Sequence, residues 1–295
     1  MLVLEAGDVP GGLAAKTEFH PGFHASVAHT TSHFSQKVLS DLDLESHGFD
    51  SGVRPLPTIG LSADQQHVTL LNGAISGTTP KDADAYHQYA RLMRRFANTL
   101  SPFWSKTIPR IGSGRLGDLT TFAHMGLNIR RLGRKDMREF LRIASLPARD
   151  LMDEYFDNDV LKAVLSWDGL IGSKMAPRSP NSAVLAVLYR MSGQSRGAHT
   201  ALSGGVNGLI DALCSSAETA GVEVRYASPV QEILVDGTAD GLRASGVQLS
   251  SGEEIKADRV VSAADPQRTF LELLGVQYLD IGFTNRIRRL RCHGY

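Results

Sequence analysis

Cysteine is scarce in this sequence. Only two cysteines, Cys214 and Cys292, occur among 295 residues, and they do not form a Cys-x-x-Cys pair. This excludes a disulfide framework and a dithiol redox centre of that type. Such sparing use of cysteine favours a reducing compartment, and we expect a cytoplasmic protein.

Long apolar runs and an excess of one charge are also missing. The longest strongly apolar run, Ala183 to Tyr189, is too short to cross a bilayer, and the N-terminus does not resemble a signal peptide. Lysine plus arginine equals aspartate plus glutamate, at 31 each, which argues against a nucleic-acid partner. The arginine run from Arg286 to Arg291 is more typical of an exposed face. We expect no transmembrane segment, while peripheral membrane contact and oligomeric state remain open.

The first residues, LVLEAGDVPGG, combine a short apolar run with an acid, Glu5, and the pair Gly11-Gly12. This order is typical of the second strand of a dinucleotide-binding fold, where the acid accepts the ribose hydroxyls. The glycine-rich phosphate loop of such a fold lies about twenty residues before that acid. Taken alone, the motif fits an ordinary strand and glycine turn better.

Periodicity divides the chain into three parts. Residues 58–71 are strand-like, and Thr79-Pro80-Lys81-Asp82 then supplies a cap, a proline and an acid that together predict a helix start. After Gly204 a helix to Gly221 is followed by alternating strands, with turns near Asp236-Gly237 and Ser251-Gly252. The spacing predicts a last strand over 259–263, a helix from Asp265 to about Leu274, and further helices over 35–43, 116–132, 135–145, 160–166 and 181–191.

Four stretches together resemble the phytoene-desaturase-like branch of the FAD-dependent amine oxidase superfamily, including oxidoreductases related to pyridine nucleotide-disulfide oxidoreductase domain-containing protein 2. They occur in the family's order over nearly the whole chain. The stretches are LVLEAGDVPGG, EFHPGFHAS, SGGVNGLIDAL, and GVEVRYASPVQEILVD continued by ADRVVSAADPQRTFLELLG.

The resemblance implies FAD as cofactor. It implies that Glu5 binds the adenosine ribose, that backbone near Gly11 and Gly12 lies against the cofactor, and that the Val230 backbone contacts the adenine end. A strand end at Ala263 and Ala264 would pass beside the cofactor. No general base is assigned, because in flavin dehydrogenases the reactive atom belongs to the cofactor.

The resemblance also implies an α/β fold. Residues 1–75 and 200–275 would form a Rossmann-like FAD-binding domain, residues 76–199 a mostly helical inserted substrate domain, and residues 276–295 the start of a further segment. The family's Gly-x-Gly-x-x-Gly loop would lie before Met1 and its C-terminal part after Tyr295. We therefore expect an incomplete FAD domain, an internal fragment, and poor solubility caused by an unpaired sheet edge.

Two functions remain open at this stage. The first is an FAD-dependent oxidoreductase that removes hydride from a C–H bond of a small apolar or amine-bearing substrate. The second is a non-catalytic remnant that acts as a binding or assembly module. Tyr86, Trp167 and Tyr189 are candidate cavity residues. Four histidines lie in the early chain, at His20, His24, His29 and His33. They favour loop or pocket positions over metal ligation, because Pro21-Gly22 interrupts any helix that would align the first two.

Overall fold

The computed structural model describes residues 1–28, 34–171, 175–179, 183–193, 195–238 and 241–290. The strands are β1 Leu2–Leu4, β2 Thr17–His20, β3 Phe23–Ala25, β4 Val53–Pro55, β5 Thr58–Gly60, β6 Val68–Leu71, β7 Ala74–Ser76, β8 Thr200–Leu202, β9 Glu223–Arg225, β10 Val230–Thr238, β11 Gly241–Leu249 and β12 Glu254–Lys256. The α-helices are α1 Gln36–Asp41, α2 Pro80–Leu100, α3 Leu116–Arg131, α4 Arg134–Ile143, α5 Ala148–Tyr155, α6 Asp159–Trp167, α7 Ala183–Met191, α8 Gly205–Thr219 and α9 Ile281–Arg288.

The chain forms two compact units. Unit 1 comprises the described residues of the ranges Met1–His29, Gln36–Ser51 and Gly204–His293, and unit 2 those of Gly52–Ser203 with residues 34–35. The units divide the chain near residues 51 and 203, so that strands β4 to β7 fall in the same unit as helices α2 to α7. The mixed helix and strand content agrees with the predicted α/β class.

Unit 1 contains a parallel pair, β1 with β9, in which Leu2 lies opposite Glu223 and Leu4 opposite Arg225. Helix α8 directly precedes β9 and packs against it. The same unit holds the antiparallel sheet β10-β11-β12 and the hairpin β2-β3. β1 therefore ends at the carboxyl edge of a parallel pair.

Unit 2 is built on long amphipathic helices. The Thr79 side chain accepts a hydrogen bond from the Asp82 N–H at 3.2 Å, and Pro80 begins α2, so the predicted helix start is confirmed. One face of α2 then enters a cluster of fully or almost fully buried side chains that includes Met93, Phe96 and Leu151. The sheet β5-β6-β7 packs beside these helices, with Val68 inside the cluster.

Two expectations for the C-terminal strands are wrong. Residues 259–263 do not form a strand, because no described segment pairs with them and the Val261 side chain is 93% exposed. Asp236 and Gly237 lie within β10, paired with Arg243 and Leu242, and not in a turn. The predicted helix start at Asp265 is confirmed, since the Asp265 carboxylate accepts from the N–H groups of Gln267 and Arg268 at 2.9 and 3.1 Å. The helix there is a π-helix over Arg268–Leu273.

Candidate functional site

Glu5 lies directly after β1 and is half-buried. Its N–H donates to the Arg225 carbonyl at 2.9 Å, and its own carbonyl accepts from the Ser228 N–H at 2.9 Å. The carboxylate Oε1 accepts from the Gly7 N–H at 2.7 Å. A carboxylate has room for several donors, so this arrangement fixes the side chain and leaves acceptor capacity for a ligand hydroxyl.

Gly11 and Gly12 form the turn that follows. Both have a left-handed φ, of 112° and 53°. A Cβ on Gly11 would lie 2.5 Å from Ile210 Cδ1 of α8, whereas a Cβ on Gly12 would meet nothing within 4 Å. Gly11 is therefore a packing position against α8, and Gly12 leaves open space beside the backbone.

The other predicted cofactor positions differ in their placement. Val230 begins β10 two residues after Ser228, whose N–H donates to Glu5, so this stretch lies close to the Glu5 turn. Ala263 and Ala264 are exposed, and no described contact joins them to Glu5. The cofactor roles of all these positions stay predictions.

Unit 2 has a cavity of about 320 Å³ with a mixed wall. Leu70, Val187 and Met191 are among its apolar side chains, and Tyr86 lines it as the sequence analysis suggested. Trp167 and Tyr189, the other two candidates, are not part of this wall; Tyr189 stacks edge-on against Trp104 at 5.0 Å between ring centroids. The size suits a small organic molecule.

One wall of the cavity carries an ion cluster that the sequence analysis missed. Asp168 Oδ1 lies 2.8 Å from Arg190 Nε and 3.2 Å from His199 Nε2. Arg190 Nη2 lies 2.9 Å from His199 Nδ1. Because a guanidinium only donates, Nδ1 is the acceptor in this contact. The guanidinium of Arg190 balances the charge of the Asp168 carboxylate.

Two hydroxyls of the same wall lack partners. Within the described residues, Tyr89 Oη and Ser195 Oγ are buried without a hydrogen bond, as are Asp168 Oδ1 and Arg190 Nε of the ion pair. Burial, and secondarily the Asp168 charge, raises the pKa of Tyr89 well above its usual range, so this hydroxyl stays protonated. The spacing of these cavity residues along the chain carries no local signal, because they come from α2, from the end of α6 and from the 191–199 segment.

The described part of the chain contains neither a metal-ligand cluster nor a membrane-spanning helix. Among the residues with described positions, no group of three or more His, Cys, Asp or Glu side chains could hold a metal ion. His29 and His33 lie outside the described residues. Within the same ranges, no helix has both the length and the apolar character of a membrane span.

Comparison with known proteins places the chain in a family. The model of the flavin containing amine oxidoreductases matches residues 1–268. The chain belongs to this family. The finding confirms the resemblance drawn from the Glu5 and Gly204 stretches, and the family is one of oxidoreductases.

The chain is similar to pyridine nucleotide-disulfide oxidoreductase domain-containing protein 2 of Mus musculus, with 31% identity over 98% of the chain and 53% of that protein. It is 38% identical to hydroxyneurosporene desaturase of Cereibacter sphaeroides over 31% of the chain and 17% of that protein. The chain spans about half the length of the mouse and rat relatives that it matches.

A solved structure shares the fold. A double mutant of putrescine oxidase, made in a redesign of cofactor binding, has a TM-score of 0.55 over 97% of this chain and 57% of its own, at 15% identity. At that identity the likeness concerns the fold alone.

Proposed function

We propose that the protein is an FAD-dependent oxidoreductase that removes hydride from a C–H bond of a small molecule. The observation that carries the proposal is the position of Glu5 at the carboxyl edge of the parallel β1-β9 pair. Ligands of open α/β sheets bind at this edge, and an acid there accepts ribose hydroxyls. Membership of the flavin containing amine oxidoreductases supports the choice of FAD.

In this proposal unit 1 is a Rossmann-like FAD-binding domain, and unit 2 is an inserted substrate domain. The Glu5 carboxylate would hold the adenosine ribose, and the open space beside Gly12 would admit the cofactor close to the backbone. The backbone at Val230 would contact the adenine end, and Ala263 and Ala264 would lie beside the cofactor. The domain boundaries expected from the sequence, near residues 75 and 200, move to residues 51 and 203 in this assignment, because strands β4 to β8 lie in unit 2.

The residues present fit the adenosine end of FAD. Glu5 is half-buried rather than fully exposed, its orientation is fixed by Gly7, and its Oε2 has no hydrogen bond to any described residue. When bound, the flavin supplies the hydride-accepting N5. The chain's own residues bind and orient the ligands around it.

The test is an FAD titration of the 295-residue chain, followed by the flavin absorption band and by fluorescence quenching. Glu5→Gln should weaken FAD binding about tenfold or more, because it removes a charge-assisted hydrogen bond. Gln keeps the Oε1 acceptor for Gly7, so the turn should persist. Asp8→Asn, which removes a neighbouring exposed carboxylate, should change the affinity little.

Riboflavin provides the second arm of the test, because it lacks the adenosine that Glu5 would hold. Glu5→Gln should leave riboflavin binding unchanged. A folded chain that shows no affinity for FAD would contradict the proposal and support the alternative of a non-catalytic binding module. Equal loss of FAD and riboflavin binding would contradict the ribose role of Glu5. Bleaching of the flavin band by candidate donors in the absence of oxygen then tests the redox activity.

A further inference from the structure

The cavity of unit 2 has an unbalanced positive charge. Arg94 of α2 and Arg196 both line it, and neither forms an ion pair with a carboxylate of the described ranges. Asp168, the carboxylate of the wall, forms an ion pair with Arg190. Two guanidinium charges therefore remain for the contents of the cavity.

The hydrogen-bond donors of the wall, like its positive charge, favour a ligand that carries acceptor atoms. Tyr89 is only 3% exposed, and its Oη and the Ser195 Oγ are buried without partners among described residues. A buried hydroxyl without a partner costs free energy, which a ligand acceptor can recover. Burial also raises the pKa of Tyr86, with Arg94 opposing the shift, so that hydroxyl is a protonated donor as well.

Much of the rest of the wall is apolar. Leu56, Leu70, Val164, Val187 and Met191 supply aliphatic surface. A ligand that fills the cavity must therefore carry an apolar body in addition to the group that meets Arg94. A fully hydrated inorganic anion would leave this surface without contact.

We propose that the unit 2 cavity binds a small apolar molecule that bears a carboxylate, with Arg94 and Arg196 as its cationic partners. A guanidinium meets a carboxylate through two parallel hydrogen bonds, and Tyr89 Oη and Ser195 Oγ supply additional donors. An amine is disfavoured, because Arg94 and Arg196 line the cavity without a carboxylate partner among the described residues, while the charge of Asp168 is balanced by Arg190. If the bound molecule is the substrate that is oxidised, this inference rests on the proposed function. The binding of a carboxylate ligand as such concerns unit 2 residues alone.

The test uses the 295-residue chain and three probes, titrated by calorimetry and by protein-observed NMR: hexanoate and hexylamine, which match in length, and the shorter acetate. Hexanoate should bind about tenfold or more tightly than hexylamine, because the charge of the head group decides the sign of the interaction with Arg94. Acetate should bind more weakly than hexanoate, because it lacks the apolar body.

Matched variants locate the site. Arg94→Gln should weaken hexanoate binding about tenfold, and Arg91→Gln, an exposed position on the same helix, should not change it. Arg196→Gln gives a second reading if Arg94→Gln fails to fold, as judged by circular dichroism. Hexylamine binding as tight as hexanoate binding, or hexanoate binding that is unchanged in both folded arginine variants, would overturn the proposal. Loss of FAD binding with retained hexanoate binding would contradict the proposed function and leave this inference standing.

Discussion

The two units differ in what holds their candidate sites in place. In unit 2 the cavity wall belongs to helices whose apolar faces form a large buried cluster. In unit 1 the predicted cofactor positions follow a three-residue strand and lie on turns, and Ala263 and Ala264 are exposed. Backbone conformation should therefore dominate the unit 1 site, and side-chain packing should dominate the unit 2 site. Substitutions that change one kind of interaction at a time can separate them.

The largest effect should come from the unit 2 core. Phe96 is fully buried and packs edge-on against Phe140 at 5.4 Å between ring centroids. Phe96→Ala should lower the free energy of unfolding by about 3–5 kcal/mol, through lost burial and the cavity that remains. Urea denaturation followed by circular dichroism measures this.

Leu141→Ala is the matched control, since Leu141 is 59% exposed on the helix that carries Phe140. Its cost should stay below about 0.5 kcal/mol. Equal costs for the two variants would show that packing in unit 2 does not dominate its stability.

A buried carboxylate in unit 2 gives the next effect. Asp82 is 1% exposed, and its carboxylate accepts from the N–H groups of Asp157 and Asn158 at 2.9 and 3.0 Å. Asp82→Ala should cost about 3 kcal/mol, because it leaves two backbone donors without an acceptor. The measurement is the same urea transition.

Asp84→Ala, at an exposed position on the same helix, is the control and should have a small effect. Asp82→Asn keeps one acceptor oxygen and should cost less than Asp82→Ala. An Asp82→Ala variant as stable as Asp84→Ala would mean that the 157–158 loop finds other acceptors.

Unit 1 should respond to backbone changes at its glycine turn. Gly11→Ala should lower the free energy of unfolding of unit 1 by about 2–3 kcal/mol, because its Cβ would lie 2.5 Å from Ile210 Cδ1. Gly12→Ala should cost about 1 kcal/mol, since only its left-handed φ opposes a side chain. Thermal unfolding of the two variants makes the comparison.

Ile210→Val in the Gly11→Ala background removes the methyl group that the new Cβ would meet. It should recover part of the lost stability. If Gly12→Ala proved more damaging than Gly11→Ala, contact with α8 would not be the reason for glycine at position 11.

The difference between local sequence signals and contacts made only by the fold explains which features the sequence could predict. The start of α2 at Thr79 and Pro80 was predictable because cap, proline and acid are local signals within four residues. The ion cluster of Asp168, Arg190 and His199 was not, because it is made by three segments that meet only in the fold. The strand expected over 259–263 failed for a related reason: apolar residues such as Val261 favour a strand, but a strand also needs a partner. The family was recognisable because four stretches occur in a fixed order.

The smallest effect should be an acid sensitivity of unit 2. Hydrogen bonds from Arg142 lower the pKa of Glu139, and those from Lys162 and then Arg149 lower the pKa of Asp153. A carboxyl whose pKa is lower in the folded state adds stability above its unfolded pKa and loses it as the pH falls through the folded value. The urea concentration at the unfolding midpoint of unit 2 should therefore decrease at pH values below about 4, where these groups take up protons.

Substitution of Arg142 tests this loss of stability at acidic pH, since the Arg142 guanidinium contacts both Glu139 and Glu154 at 2.7 Å. Arg142→Gln should flatten the fall in the urea midpoint between neutral and acidic pH, because Glu139 loses the hydrogen bonds that lower its pKa. Arg138→Gln, an exposed position on the same helix, should leave the pH profile unchanged. Identical profiles for the two variants would show that the loss of stability at acidic pH arises elsewhere in the chain. The expected change is small because these pairs are partly exposed and solvent screens them, which again leaves packing as the dominant interaction in unit 2.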